Sequence, residues 1–204
     1  MIYLIGLTGN IATGKSLVGR MLGELGAHVI DADELVRDLQ RRGTRVYAAI
    51  VAEFGTGILR PDGEIDRSRL GAWVFSDPEA LRRLESIVHP AVGRAIEAQI
   101  SVIQYQASNK NTVVVIEAIK LIEAGLSRRC NALWVVTSGQ KAQLERLMRA
   151  RGQSEADARL RIEAQPPQSD KAALADVLIE NDGTLADLRE QVKRHWAKIT
   201  AASV

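Results

Sequence analysis

Short, nearly continuous apolar runs recur along the chain, and between them apolar residues return every three or four positions. Residues 2–7 (IYLIGL) read as a buried strand, since no alternation with polar positions interrupts the run. From Lys15 the period changes. Leu17, Val18, Met21, Leu22 and Leu25 then share one helical face, and Gly26 follows as a C-terminal stop. Residues 27–33 (AHVIDAD), 112–119 (TVVVIEAI), 132–138 (ALWVVTS) and 176–181 (DVLIEN) predict further strands. The stretch 185–196 is helical, with Leu185, Leu188, Val192 and Trp196 on one side. Strands interleaved with helices imply parallel pairing and right-handed crossovers, hence an α/β fold around a mostly parallel sheet of about five strands.

One long gap breaks this rhythm. Residues 34–109 read as almost wholly helical, with Leu81, Leu84, Ile87, Val88, Ala91, Val92, Ala95 and Ile96 at helical spacing. Pro90 predicts a bend or helix boundary there. The expected organisation is a single domain over 1–204. Its core is 1–33 and 110–204, with a lid at about 139–167, and 34–109 form a helical insertion above the sheet's carboxyl edge, where open α/β sheets bind ligands.

Composition narrows the class. The 204 residues are 46% hydrophobic and 25% charged, ordinary for a soluble globular protein. A formal net charge of only +2 gives no reason to expect a nucleic-acid partner. Cys130 is the sole cysteine, which excludes an internal disulfide and a cysteine-built zinc site and suits a reducing, cytoplasmic setting. The apolar opening is too short to span a membrane and lacks a basic leader, so no membrane partner is expected. A monomer or weak oligomer is the expectation.

The chemistry begins where the first strand ends. In LTGNIATGKS, Gly9, Gly14, Lys15 and Ser16 complete G-x-x-x-x-G-K-[ST] between a buried strand and an amphipathic helix. Main-chain N–H groups of such a loop form an anion nest, and the helix N-terminus adds partial positive charge. Lys15 can reach the β- and γ-phosphates, and Ser16 can ligate Mg²⁺. The expected ATP-binding set is Gly9, Asn10, Ala12, Thr13, Gly14, Lys15, Ser16 and Leu17, and the fold becomes a P-loop three-layer sandwich. The guanine reader N-K-x-D is not matched, because NKNT at 109–112 puts Thr112 where the aspartate belongs. Small-molecule kinases are left as the leading class. Such a kinase can use a carboxylate to orient and deprotonate the acceptor hydroxyl. Asp31 and Asp33 end the second strand. If that strand pairs beside the first, both acids sit next to the γ-phosphate position. Asp33 is equally readable as a helix N-cap. Arg146, Arg149, Arg151, Arg159 and Arg161 offer lid cations, most of them readable as a solvated charged face.

Taken together these residues resemble the dephospho-coenzyme A kinase family over nearly the full chain. The family's loop reads roughly L-T-G-G-I-G-S-G-K-S, and its Asp-Ala-Asp step recurs at Asp31-Ala32-Asp33. Its middle segment resembles IDRSRLGAWVFSDPEALRRLESIVHP, and its tail RIEAQPPQSDKAALADVLIENDGTLADL. The resemblance implies transfer of the ATP γ-phosphoryl group to the ribose 3′-hydroxyl of dephospho-coenzyme A. ATP with Mg²⁺ would be the substrate complex, with no tightly bound prosthetic group. It further implies Asp33 as base, catalytic roles for Lys15 and Arg146, ATP contacts at Arg146 and Asn181, and acceptor contacts at Thr8, Asp31, Asp33 and His89.

Three departures stand out. Asn10 and Ala12 replace loop glycines; Asn tolerates positive φ, whereas Ala12 calls for a regular conformation. Lys120 interrupts an apolar step and reads either as a phosphate contact or, preferably, as snorkelling to solvent. Ala150 takes the expected second lid-arginine position, with Arg149 and Arg151 on either side. Glu117, ending the third strand, is open between a water-mediated Mg²⁺ contact and a helix cap. The alternatives to this activity are another P-loop kinase with a nucleoside-, nucleotide- or shikimate-like acceptor, and a nucleotide-binding module without transfer.

Overall fold

A computed structural model of the chain describes residues 2–107, 111–152 and 154–202; the side chains of Ala150, Arg151 and Ala202 lie outside that description. The far boundary expected for the insertion, at 109, also falls outside it.

Five strands form one all-parallel sheet in the order β2-β3-β1-β4-β5. They are β1 (Ile2–Thr8), β2 (His28–Asp31), β3 (Thr112–Glu117), β4 (Ala132–Thr137) and β5 (Val177–Glu180). Each falls on the run that its apolar pattern predicts, β1 extending one residue past its run to Thr8. Period-two alternation sends Ile5, Leu7, Val115, Ala132, Trp134, Val136 and Ile179 to one face of the sheet. There they pack against Val18, Met21 and Leu22 of α1 (Lys15–Glu24) and Leu188 and Val192 of α9 (Leu185–Ala202). Each such aliphatic side chain contributes about 1.5–3 kcal/mol by leaving water. On the other face Gly6 leaves space that Leu121 and Cys130 fill, since a Cβ there would come 2.8 Å from Leu121 and 3.0 Å from the Cys130 sulfur.

The strand order corrects one expectation. β2 does not pair beside β1, because β3 lies between them. Apolar β3 is buried along nearly its whole length, which suits a position inside a parallel sheet, whereas the exposed His28 and Val29 suit β2 to the edge.

The chain divides into two compact units, residues 1–31 with 102–204, and residues 32–101. The second is helical: α2 (Ala32–Leu39), α3 (Arg45–Phe54), α4 (Arg67–Ser76) and most of α5 (Pro78–Gln106). Val46, Ile50, Phe54, Ile58, Leu70, Val74, Val88, Val92 and Ile96 are buried in it. Thr44 caps α3 by accepting from Tyr47 N at 3.0 Å, and Asp66 caps α4 by accepting from Arg69 N at 3.0 Å. Pro90 ends nothing, since α5 runs through it without a break. The bond lost at its nitrogen is offset by the buried stripe on either side, Val88, Ala91, Val92 and Ile96.

The remaining helices, α6 (Gln140–Arg151), α7 (Glu155–Glu163) and α8 (Gln168–Ala172), lie between β4 and β5 in the chain. Ser154 caps α7 by accepting from Asp157 N. Among the described residues no helix is long and apolar enough to cross a membrane.

Candidate active site

The turn from β1 into α1 rests on two left-handed residues, Ala12 (φ 59°) and Gly14 (φ 95°), one on each side of Thr13. Alternating left- and right-handed backbone turns successive N–H groups to one side, the geometry of an anion nest. Gly14 is obligatory twice over, by its φ and because a Cβ would collide with Asn181 Nδ2. A Cβ on Gly9 would collide with the Val136 carbonyl.

Ala12 overturns the expectation of a regular conformation. It is the one non-glycine residue with positive φ among the described residues. The loop's path sets its angle, at a cost of about 1–2 kcal/mol. Asn10, whose tolerance of positive φ the sequence suggested, does not use it. Its Nδ2 instead donates to the Pro166 carbonyl at 2.8 Å, and its buried Oδ1 has no hydrogen-bond partner among the described residues.

Lys15 and Ser16 open α1, and both meet Glu117. Lys15 Nζ lies 2.7 Å from Glu117 Oε1, and Ser16 Oγ donates to the same oxygen at 2.5 Å. Lys15 is 8% exposed and Glu117 3%. The second carboxylate oxygen sits over Gly19, where a Cβ would come within 2.5 Å of it. Glu117 is thus the acid that belongs to the phosphate loop, because β3 neighbours β1 and their register sets Leu7 beside Glu117. Asp31 pairs with Glu117 from the other side. It is therefore one strand farther from the loop than expected, about 4.8 Å in the hydrogen-bonding direction.

Ser16 and Glu117 present hard oxygen donors, the chemistry Mg²⁺ selects. Among the described residues no cluster of three or more His, Cys, Asp or Glu side chains could hold a metal alone. Two such oxygens fit Mg²⁺, which proteins commonly hold by one or two side chains together with substrate phosphates.

Arg146, half-buried on α6, lies against the loop's main chain. Its Nη1 donates to the carbonyls of Ala12 (3.1 Å) and Thr13 (3.2 Å) and to Ser138 Oγ (3.0 Å), and its Nη2 to the Asn181 carbonyl (2.6 Å). Asn181, 6% exposed, donates from Nδ2 to the Thr13 carbonyl at 2.7 Å. Thr13 Oγ1 donates to the Asn10 carbonyl at 3.0 Å. Thr8, at the end of β1, donates to the Ile119 carbonyl at 3.1 Å, and buried Lys171 donates to that same oxygen. Leu17 is half-buried in the first turn of α1.

Asp33 and His89 belong to the helical unit, Asp33 in the first turn of α2 and His89 half-buried within α5. α2 begins at Ala32, so Asp33 is inside the helix and not at the residue before it. Lys120, Arg149 and Arg161 are exposed, Arg159 pairs with Glu155 at 2.7 Å, and the Arg151 side chain is outside the described residues. Within the helical unit a cavity of about 480 Å³ is lined by Arg37, Arg41, Arg60 and Arg67, but also by Glu34, Asp38, Glu64 and Asp66, so its formal charges cancel. Burial pushes the Cys130 thiol up to about 11, which removes it as a nucleophile near neutral pH.

Residues 3–187 match the CoaE family, described as dephospho-CoA kinase. A relative from Geobacter sulfurreducens named dephospho-CoA kinase is 44% identical over 195 residues, covering 96% of this chain and 98% of its own. The crystal structure of TT1252 from Thermus thermophilus superposes with a TM-score of 0.79 at 31% identity, covering 96% of this chain and 97% of that one. A dephospho-CoA kinase from Campylobacter jejuni shares the fold, with a TM-score of 0.69 at 24% identity over the whole of both chains.

Proposed function

The chain belongs to the dephospho-CoA kinase family, and from that premise we propose how its own residues carry the family's reaction, phosphorylation of dephospho-CoA by ATP in the last step of CoA biosynthesis. The main-chain nest from Gly9 to Ser16 binds the ATP phosphates. Lys15 leaves Glu117 for the β- and γ-phosphates, neutralising charge that develops during transfer. Ser16 and Glu117 would hold Mg²⁺, directly or through water. When bound, the ion would supply neutralisation of phosphate charge. Arg146 and Asn181 fix the loop at its outer carbonyls and line the nucleotide end.

Asp33 takes the proton from the ribose 3′-hydroxyl as its oxygen attacks the γ-phosphorus and ADP leaves. Asp31, His89 and Thr8 serve the acceptor side. The single observation that carries this reading is that Lys15 and Ser16, which close the phosphate-loop motif, both meet one oxygen of the buried Glu117 carboxylate.

The test is direct. Purified protein with ATP, Mg²⁺ and dephospho-CoA should form ADP and CoA one for one. Asp33→Asn should lower kcat by about 10²–10⁴, the usual worth of a positioned base, while ATP affinity stays within about twofold. Near-normal turnover in that variant removes Asp33 from the mechanism. Nucleosides and shikimate run beside dephospho-CoA in an ADP-release assay identify a different acceptor, and ATP binding without any transfer leaves only a nucleotide-binding module.

A further inference from the structure

The phosphate loop is gripped from its outer side by amide side chains far along the chain. Ile11 N–H donates to Gln165 Oε1 at 2.7 Å, and the Ile11 carbonyl accepts from Gln143 Nε2 at 2.6 Å. Both polar groups of one loop residue thus go to glutamines on either side of α7. Gln143 is 1% exposed, so its amide has no water to fall back on. Its orientation is set by Gln168, whose Nε2 donates to Gln143 Oε1 at 3.2 Å. Gln168 is in turn locked to Ser138, accepting from its N–H at 3.1 Å and donating to its carbonyl at 2.9 Å. The residue after Ile11 is left-handed Ala12. A non-glycine residue keeps that conformation only where its surroundings over-determine it.

We propose that Gln143, Gln165 and Gln168 are positioning residues for the nucleotide: they pin the Ile11 peptide groups and so hold the strained turn at Ala12 in the shape that binds phosphates. The proposal rests on the reading of this loop as the ATP phosphate site. None of the three needs to touch substrate, because each acts through the loop's main chain.

The chemistry is directional, and that makes it testable. Ile11 N–H requires an acceptor at position 165, so Gln165→Glu keeps the bond and Gln165→Ala loses it. The Ile11 carbonyl requires a donor at position 143, so Gln143→Glu sets a carboxylate against a carbonyl and Gln143→Ala leaves that carbonyl unpaired. MgATP is titrated into each variant without acceptor, and KM for ATP and for dephospho-CoA is measured with kcat. Q143A and Q165A should weaken ATP binding roughly five- to tenfold, with the acceptor KM held within about twofold. Q165E should bind like the parent, and Q143E no better than Q143A.

Wild-type ATP affinity in folded Q143A and Q165A overturns the proposal. So does equal behaviour of Q143E and Q165E, or a loss spread evenly over both substrates together with a lowered Tm, which marks plain destabilisation. If Q143A does not fold, the Q165E and Q165A comparison decides alone. If the parent binds ATP but does not phosphorylate dephospho-CoA, the acceptor assignment fails while the ATP titrations still judge the clamp.

Discussion

Replacing Glu117 probes the link between the fold and the nucleotide site. Glu117 and Lys15 are both nearly excluded from water, with side chains 4% and 9% exposed. Deleting one partner of such a pair takes the carboxylate away from a buried lysine at 2.7 Å, and breaking a buried pair costs up to about 3–5 kcal/mol. Glu117→Ala should therefore cost that much stability. Glu117→Gln is milder, because its amide oxygen still accepts from Lys15 Nζ and only the charge is lost; the worth of a charged hydrogen bond puts it at about 1.5–3 kcal/mol. For a chain of this length each kcal/mol lowers Tm by about 2–4 °C, so E117Q should melt roughly 3–12 °C lower.

The second half of the same experiment uses ATP. In the proposed mechanism, nucleotide draws Lys15 away from Glu117 before the lysine serves the phosphates. In E117Q that competitor is neutral. ATP added with a metal chelator should then raise Tm by more in E117Q than in the parent, even though E117Q starts lower. Phosphoryl transfer should fall at the same time, because the carboxylate expected to serve Mg²⁺ is gone. An unchanged Tm in E117Q, or an ATP-induced shift no larger than the parent's, refutes the reasoning.

Three further outcomes are expected. Ala12→Gly relieves a left-handed alanine worth about 1–2 kcal/mol but adds about 0.5–1 kcal/mol of glycine entropy, for a net gain near 0.5–1 kcal/mol. Thermal denaturation should show a rise of about 1–4 °C, and a fall would mean that Ala12 is not strained. Gly19→Ala, which in an open helix would gain up to about 1 kcal/mol, instead drives a Cβ to within 2.5 Å of Glu117 Oε2. It should raise the KM for ATP without raising Tm, and a more stable variant with normal KM would show that Glu117 yields freely. Cys130 should resist alkylation at pH 8 in the native protein and react quickly in urea. Its thiol rises from 9.0 to about 11 on folding, so the stability tied to the protonated form is complete below pH 9 and is lost as pH climbs toward 11. Rapid native labelling at pH 8 contradicts this.

Much of this architecture is legible in local sequence. The five strands and the phosphate loop follow from apolar runs, glycine punctuation and one motif, because each is decided by residues close together in the chain. What stays hidden is spatial. The apolar run of β3 suits a central place and β2 an edge, but neither pattern fixes the neighbour of β1, so the acid at the loop could be sought at Asp31 when geometry puts Glu117 there. The clamp's geometry is hidden too: Gln165 falls in the tail segment that carries the resemblance, but nothing there points it at Ile11, and Gln143 and Gln168 look like ordinary polar helix residues until the fold brings Gln143 and Gln165 to that residue. Arg146 was visible as a cation. Its four recorded acceptors, three of them main-chain carbonyls, were not. Ala12 and Pro90 fail for a common reason: tertiary packing holds each where its intrinsic preference would not put it.

Glu117 and the proposed base Asp33 are attached differently, and this separates their expected effects. Glu117 ends a central strand, and its carboxylate is held by Lys15 and Ser16, so any change there is felt first by the nucleotide and by stability. Asp33 lies two residues past Asp31, where the chain has left the sheet, and its backbone belongs to the helical unit. Substitutions at Glu117, Gln143 and Gln165 should therefore move ATP affinity, whereas Asp33→Asn should move turnover. Combined with a clamp variant, the aspartate change should be close to additive in the free energy of kcat/KM, within about 0.5 kcal/mol, if one acts on turnover and the other on ATP affinity independently. Strong non-additivity would mean that the base and the loop act as one unit, and would shift the origin of catalysis from two separate attachments to a single coupled site.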